Sequence, residues 1–463
     1  MQTAANPLQN AQFRKFFSAQ VIALVGTGLS TVALTLLAYD LAGTDAAAIL
    51  GTALAFKMVA YVVFAPIVGG LVQHLSRKPF LVVMDLLRAV AILTVPFAAE
   101  VWQIYLLIFI LNLLSAGFKP VFAATIPDIL PDERLYTRAL ALSRLAYDLE
   151  NLLSPALAAL ALLFATYTGL FTINAAAFLA SALLISVTTL PSQRPFQRQG
   201  SRWEQVSFGI RSYLKTPRLR GLLALYMSVA AASSMVIVNT VVYIRENIGG
   251  TESDVAFALA ASGCGSMIAA LTLPWLLDRI TDRPVMLFGS LLMSVGLGLI
   301  TFSPGFGSVL LIWFVIGVGW SLVQTPAGRV VSRSSSPDDR PAYFSAQFSL
   351  SHACWLIFYP VTGQFGTQLG IEATALLLAV SVIVFAALAT MLWPKRDKAV
   401  LLHTHPEMKH SHLHTHDLHH DHEHQGWEGP EPHSHPHRHP QMQHAHGYVI
   451  DDHHATWPSS PHP

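Results

Sequence analysis

Apolar stretches of about 20 residues, each long enough as a helix to cross a hydrocarbon core about 30 Å thick, recur from one end of this chain almost to the other. No other feature limits the fold as tightly. In lipid every backbone N–H and C=O must be satisfied within its own segment, so a chain of such stretches becomes a bundle of helices. Six begin near Phe16, Ala47, Phe80, Trp102, Ala139 and Thr168, and six more near Leu219, Val255, Val285, Gly307, Pro341 and Ile371. They are numbered spans 1 to 12 below. Only 12% of the 463 residues are charged, against about 25% in soluble domains, which excludes a soluble globular chain and with it a nucleic-acid partner. The first apolar stretch is too long for a secretory signal, and no small-residue cleavage pattern precedes the second. Cys264 and Cys354 both lie in apolar stretches and frame no disulfide or zinc pattern.

Basic residues set the expected orientation. Arg14 and Lys15 precede span 1, Arg77 and Lys78 follow span 2, and Arg134 and Arg138 precede span 5. Arg194, Arg198, Arg202, Arg211, Lys215 and Arg218 fill the connection after span 6. Arg279 and Arg283 follow span 8, Arg333 and Arg340 separate spans 10 and 11, and Lys395, Arg396 and Lys398 follow span 12. Among the opposite loops only Arg245 breaks the pattern. The positive-inside rule then places both termini and the central loop in the cytoplasm. The expected division is a first six-helix half over 1–190, a basic loop over 191–218, a second half over 219–394 and a tail over 395–463.

Two six-span halves joined by a basic loop suggest a duplicated transporter. "GGLVQHLSRK" after span 2 and "PWLLDRITDR" after span 8 hold equivalent places. Here the chain resembles the major facilitator superfamily, whose loop after span 2 reads Gly-x-Leu-x-Asp-Arg-x-Gly-Arg-Lys. Gly69, Leu71, Arg77 and Lys78 match, Gln73, His74 and Ser76 depart, and Asp278 with Arg279 keeps the acidic–basic pair in the second half. The resemblance covers nearly all of the first 395 residues. It implies an all-α membrane protein of twelve transmembrane helices, with Arg77, Lys78, Asp278 and Arg279 as gating candidates. "FKPVFAATIPDILPDERLYTRALALSRL" and "SPALAALAL" look like the branch of siderophore and drug exporters. "DRPAYFSAQFSLSHACWLIFYP", with the tail, is similar to the nickel-resistance permeases.

Ionisable residues at membrane depth are functional candidates by default. Asp148 and Glu150 lie in span 5, Lys57 in span 2 and His352 in span 11. Asp85 and Arg88 lie in span 3, where pairing within a gate is expected. At 100° per residue Asp148 and Glu150 point about 160° apart and cannot line one site together. Asp148 shares a face with Arg144 and Asn151, and a salt bridge to Arg144 is its structural alternative. Glu150 shares one with Ser154 and Ala158, and a bond to Lys57 or to helix backbone is its alternative. Ser345, Ser349, His352 and Tyr359 fall on one polar face, and Gln347, Ser351 and Cys354 on a second. Cys354 reads as a packing residue, and Asn174 and Asn239 as interhelical hydrogen-bonding residues.

Nineteen of the 21 histidines lie in 403–462. His403 and His405 open the segment. His410, His412, His414, His416, His419, His420, His422 and His424 alternate with Ser, Leu, Thr, Asp and Glu. His433, His435, His437 and His439 follow, then His444, His446, His453 and His454. Neutral imidazole suits nickel, cobalt, zinc and copper alike, so the tail implies a divalent metal without naming it. With two basic and eight acidic residues from His403 onward, its formal charge is 2 − 8 = −6. Repeated prolines and little apolar content lead us to expect a tail that is disordered without metal. No Gly-x-x-x-x-Gly-Lys-Ser/Thr loop is present, so the expected energy source is a proton gradient. The expectation is a monomeric inner-membrane antiporter without cofactors, exporting nickel, with cobalt or zinc as alternatives. A drug or siderophore exporter whose tail only buffers metal is the first rival, and a membrane-held metal store or sensor the second.

Overall fold

The computed structural model describes residues 6–42, 56–72, 75–191 and 201–395, and beyond them 397, 400–405, 408–414, 433–439, 442–450, 454 and 457. It divides into a body, Met1–Lys395, and a tail, Arg396–Pro463.

Every regular element described in the body is helical. The helices are α1 (Ala11–Ala42), α2 (Phe56–Gly70), α3 (Arg77–Thr94), α4 (Val101–Ile129), α5 (Glu133–Ala161) and α6 (Tyr167–Ser186). After α7 (Arg202–Lys215) come α8 (Pro217–Asn247), α9 (Glu252–Leu277), α10 (Asp282–Ile300), α11 (Phe306–Arg333), α12 (Arg340–Leu369) and α13 (Ile371–Leu392). Among the described residues nine of these are long and apolar enough to cross a membrane. The described part of α2 is shorter, and α5 and α12, although 29 and 30 residues long, carry the polar side chains that lower their hydropathy. Helix starts follow local chemistry. Asp132 accepts from the Leu135 amide at 2.8 Å, and Ser201 with Glu204 and Thr251 with Asp254 close reciprocal capping boxes.

Packing repeats itself. In the first half α6 lies against α1 and α3, and in the second α13 lies against α8 and α10. Between the halves α2 meets α12 and α5 meets α9, the same relation twice if each helix is exchanged for its counterpart. Small residues let these helices close up. A Cβ on Gly28 of α1 would overlap the Ser154 hydroxyl of α5, and one on Gly69 of α2 would overlap Ser345 of α12. The connector α7 touches both halves: a Cβ on Gly70 would come 2.6 Å from the Val206 Cα, and one on Gly209 would overlap the Ala342 carbonyl. Large apolar side chains such as Val90, Leu183 and Leu311 cover the outside of the bundle and are exposed without lipid.

The described backbone of the tail forms two antiparallel pairs, β1 (Val400–His405) with β4 (Met442–Gly447) and β2 (Met408–His414) with β3 (His433–His439). The reason lies in the alternation itself, because His-x-His has the two-residue period of a strand. The register sets His410, His412 and His414 opposite His437, His435 and His433, and His403 opposite His444.

Candidate functional site

Several polar side chains of four helices reach the middle depths of the bundle. Counting from the end that carries the basic loops, His352 is twelve residues past Arg340, about 18 Å along the axis. Asp148 and Glu150 are fifteen and seventeen residues past Glu133, about 22–26 Å in. Lys119 is ten residues short of Ile129, about 15 Å in.

Tyr61 of α2 is the centre of one group. It sits in a π-turn, Ala60–Phe64, the kind of widened turn found at functional positions. Its ring lies 4.9 Å from Phe348 and 4.8 Å, edge-on, from His352. Lys57, one turn earlier, holds its Nζ 5.7 Å from the Tyr61 ring centroid. The Lys119 Nζ lies 5.2 Å from that centroid and donates to the Tyr61 hydroxyl at 3.2 Å. Lys119 directly precedes Pro120, which has no N–H for the helical ladder and loosens α4 at this point. His352 Nδ1 donates to the Phe348 carbonyl at 2.7 Å. A carbonyl can only accept, so Nδ1 carries the proton and Nε2 keeps its lone pair. A histidine fixed in this way by a backbone carbonyl is oriented for a ligand at its other nitrogen. Trp355 closes the group 5.5 Å from the imidazole.

Glu150 packs beneath Gly28, 3.5 Å from Cγ to the position a Cβ would take there. Lys119 and Lys57 are the charges within its electrostatic reach, and the same two act on His352. The expected bond from Glu150 to Lys57 is not formed within 4 Å. Among the described residues neither lysine has a carboxylate that close.

Asp148 belongs to a second group on the opposite face of α5. Arg144 pairs with it at 3.0 Å, as its structural alternative required. The pair also crosses to the second half. Ser266 of α9 donates to Asp148 at 2.7 Å, while Arg144 donates to Ser266 at 2.9 Å and to Gln324 of α11. Trp320 lies 5.3 Å from the guanidinium. Asn151 has no described side chain.

The polar faces expected on span 11 are covered by neighbours. Ser345 packs on Gly69, and Ser349 donates to the Val62 carbonyl of α2. Gln347 accepts from the Tyr213 hydroxyl of α7 at 2.5 Å. Cys354 is buried, bonded to the Leu350 carbonyl at 3.2 Å.

At the basic end the two halves are tied by ion pairs. Asp128 of α4 receives both Arg77 of the first half and Arg340 of the second. Arg77 also donates to the Pro337 carbonyl at 2.9 Å. Arg329 of α11 reaches Asp282 at 3.0 Å, Glu133 at 3.2 Å and the Thr137 hydroxyl at 3.1 Å. Arg333 reaches Asp282 at 3.1 Å, and Arg134 reaches Asp278 at 3.5 Å. A cavity of about 520 Å³ lies among them, lined in part by Asp128, Tyr136, Ser332 and Arg340. Asp85 and Arg88 pair with each other, with Ser181 and with the rings of Phe118 and Phe178. All of these lie in the first half, so the pair ties helices of that half together. Arg279 stacks on Trp275 at 4.2 Å, and Lys78 is half-buried at the start of α3.

Sequence reasoning passed over Lys119, Tyr61 and Asp128. The two charges could have been found as interruptions of the apolar run of span 4. Tyr61 carries no signal distinguishing it from other aromatic residues. In the tail, His454 lies 4.5 Å from Tyr448, ring to ring. The other tail histidines are described only as backbone or, for His416, His419, His420, His422, His424, His453 and His462, lie outside the described residues. Among the described residues no three metal-ligating side chains form a group.

The family model described as Major Facilitator Superfamily matches residues 16–240 and 222–422. An uncharacterized MFS-type transporter of Bacillus subtilis, YfiS, is 22% identical over 349 residues, covering 72% of this chain and 82% of that one. The multidrug efflux pump Tap of Mycolicibacterium fortuitum is 23% identical over 343 residues, covering 70% and 82%. A crystal structure of a bacterial homologue of the iron transporter ferroportin, in an outward-facing state, superposes with a TM-score of 0.69 at 12% identity, covering 82% of this chain and 99% of that one.

Proposed function

This chain belongs to the Major Facilitator Superfamily, and from that premise we propose that its cargo is a divalent transition metal, nickel first and cobalt second, exported in exchange for protons. As a member it is a secondary transporter and not an enzyme. The reading counts α2, α5 and α12 as spans beside the nine apolar helices, which makes twelve, and takes the basic end as cytoplasmic. Closure at that end then corresponds to an outward-facing state of a bacterial inner-membrane protein acting as a monomer.

One observation carries the cargo assignment. His352 stands at membrane depth with Nδ1–H given to the Phe348 carbonyl and its lone pair at Nε2, in a chain with nineteen further histidines in 403–462. Imidazole and carboxylate exchange a proton for a metal at the same lone pairs, so Glu150 and His352 can couple the two flows. The tail collects the ion before transport, since a polar segment cannot cross the bilayer.

A second reading has its own support. The rings of Tyr61, Phe348 and Trp355 around His352 suit a flat organic cargo, and one relative is named as a multidrug efflux pump. Uptake into inside-out vesicles separates the two. The expected result is nickel uptake driven by a pH gradient, reduced by cobalt and abolished by His352→Ala at unchanged membrane abundance. Uptake at the wild-type rate in that variant removes His352 from the path. Uptake of a lipophilic dye with no metal uptake replaces the first reading by the second.

A further inference from the structure

Lys57 and Lys119 place two ammonium groups around one tyrosine ring, on two different helices of the first half. Such charges are costly at membrane depth unless something balances them. Among the described residues the balance is incomplete. Arg144 is matched by Asp148 and Arg88 by Asp85. The two lysines share only Glu150, beyond ion-pair distance among the described residues. With His352 neutral, two positive charges face one negative charge. A bare divalent cation at Nε2 of His352 would meet both ammonium groups, whose repulsion is weakly screened away from water. An anion would meet the opposite field. Lys119 spends one of its three donors on the Tyr61 hydroxyl at 3.2 Å, and among the described residues Lys57 makes no hydrogen bond.

We propose that Lys57 and Lys119 form a subsite for the carboxylates of a small di- or tricarboxylate, so that the metal crosses as an anionic chelate. The inference rests on the metal-export reading for its cargo but not for its anion site. The lysines hold carboxylates of the chelator, and Nε2 of His352 can take a remaining position on the metal. Tyr61 and Trp355 wall the group with rings that exclude water and strengthen the charge-assisted hydrogen bonds.

The test is binding of radiolabelled citrate, malate and oxalate to the purified full chain in lipid nanodiscs, with nickel and with a strong chelator in its place. At least one acid should bind, and more tightly with nickel. Lys57→Gln and Lys119→Gln should each weaken binding at least about tenfold, the loss of one charge-assisted hydrogen bond. Lys119→Arg should restore most of it. With the strong chelator in place of nickel, Glu150→Gln should strengthen binding of the acid, a gain that misfolding cannot mimic, so the proposal stays testable if a lysine variant fails to fold. Lysine-dependent binding that is indifferent to nickel supports the anion site and takes the metal out of it, which counts against the metal cargo instead. No binding of any of the three acids, or binding unchanged in both lysine variants, overturns the proposal. If bare nickel enters vesicles at the same rate with and without citrate, the chelate fails while metal export stands.

Discussion

Asp148 and Glu150 are separated by one residue and keep different company. Asp148 is bonded across the midline to Ser266 and holds Arg144, whereas Glu150 lies under Gly28 within reach of two lysines. Asp148→Asn leaves a buried guanidinium without its carboxylate, a loss of about 3–5 kcal/mol for broken buried pairs. The expected outcome is less folded protein in the membrane and a lower thermal midpoint in detergent. Glu150→Gln breaks no ion pair and is expected to fold normally, lose uptake driven by a pH gradient and keep exchange of cargo for cargo. Normal stability and normal uptake in both variants would move the coupling to another helix. That the two carboxylates point apart was legible from helical geometry alone, as was the Arg144–Asp148 pair, four residues apart. Ser266 and Gln324 were not, because local periodicity carries no information about which helices become neighbours across more than a hundred residues.

At the scale of elements the gate turns on one side chain. Asp128 at the end of α4 receives an arginine from each half, from the start of α3 and the start of α12. Asp128→Asn removes the charge both arginines share and should shift the protein toward the state open at the basic end. Ser332 lines the cavity there, so Ser332→Cys in a background without Cys264 and Cys354 reports the shift. Labelling by a membrane-impermeant thiol reagent from that side should rise several-fold with Asp128→Asn, and unchanged labelling would place the gate elsewhere. Most helix starts were legible within three residues, such as Val101 for Trp102 and Phe306 for Gly307. Span 5 begins at Glu133 instead of Ala139, because hydropathy finds where a helix enters lipid while the Asp132 cap decides where it begins.

For the whole molecule, the tail forms a unit apart from Met1–Lys395, so removing it should leave the transport body intact. A chain ending at Lys398 is expected to export metal at saturating concentration and to give weaker resistance when metal is scarce. Complete loss of vesicle uptake at saturating metal, with normal insertion, would make the tail part of the pathway. The expected duplication is consistent with the exchange of partners between α2–α12 and α5–α9. The connector α7 breaks that equality. It has no counterpart in the repeat, and it is wedged at backbone distance against α2 through Gly70 and against α12 through Gly209. If the halves part at the basic end during transport, α7 must come away from one of them, a step that is the same whatever the cargo. The face that peels more easily decides which half α7 travels with.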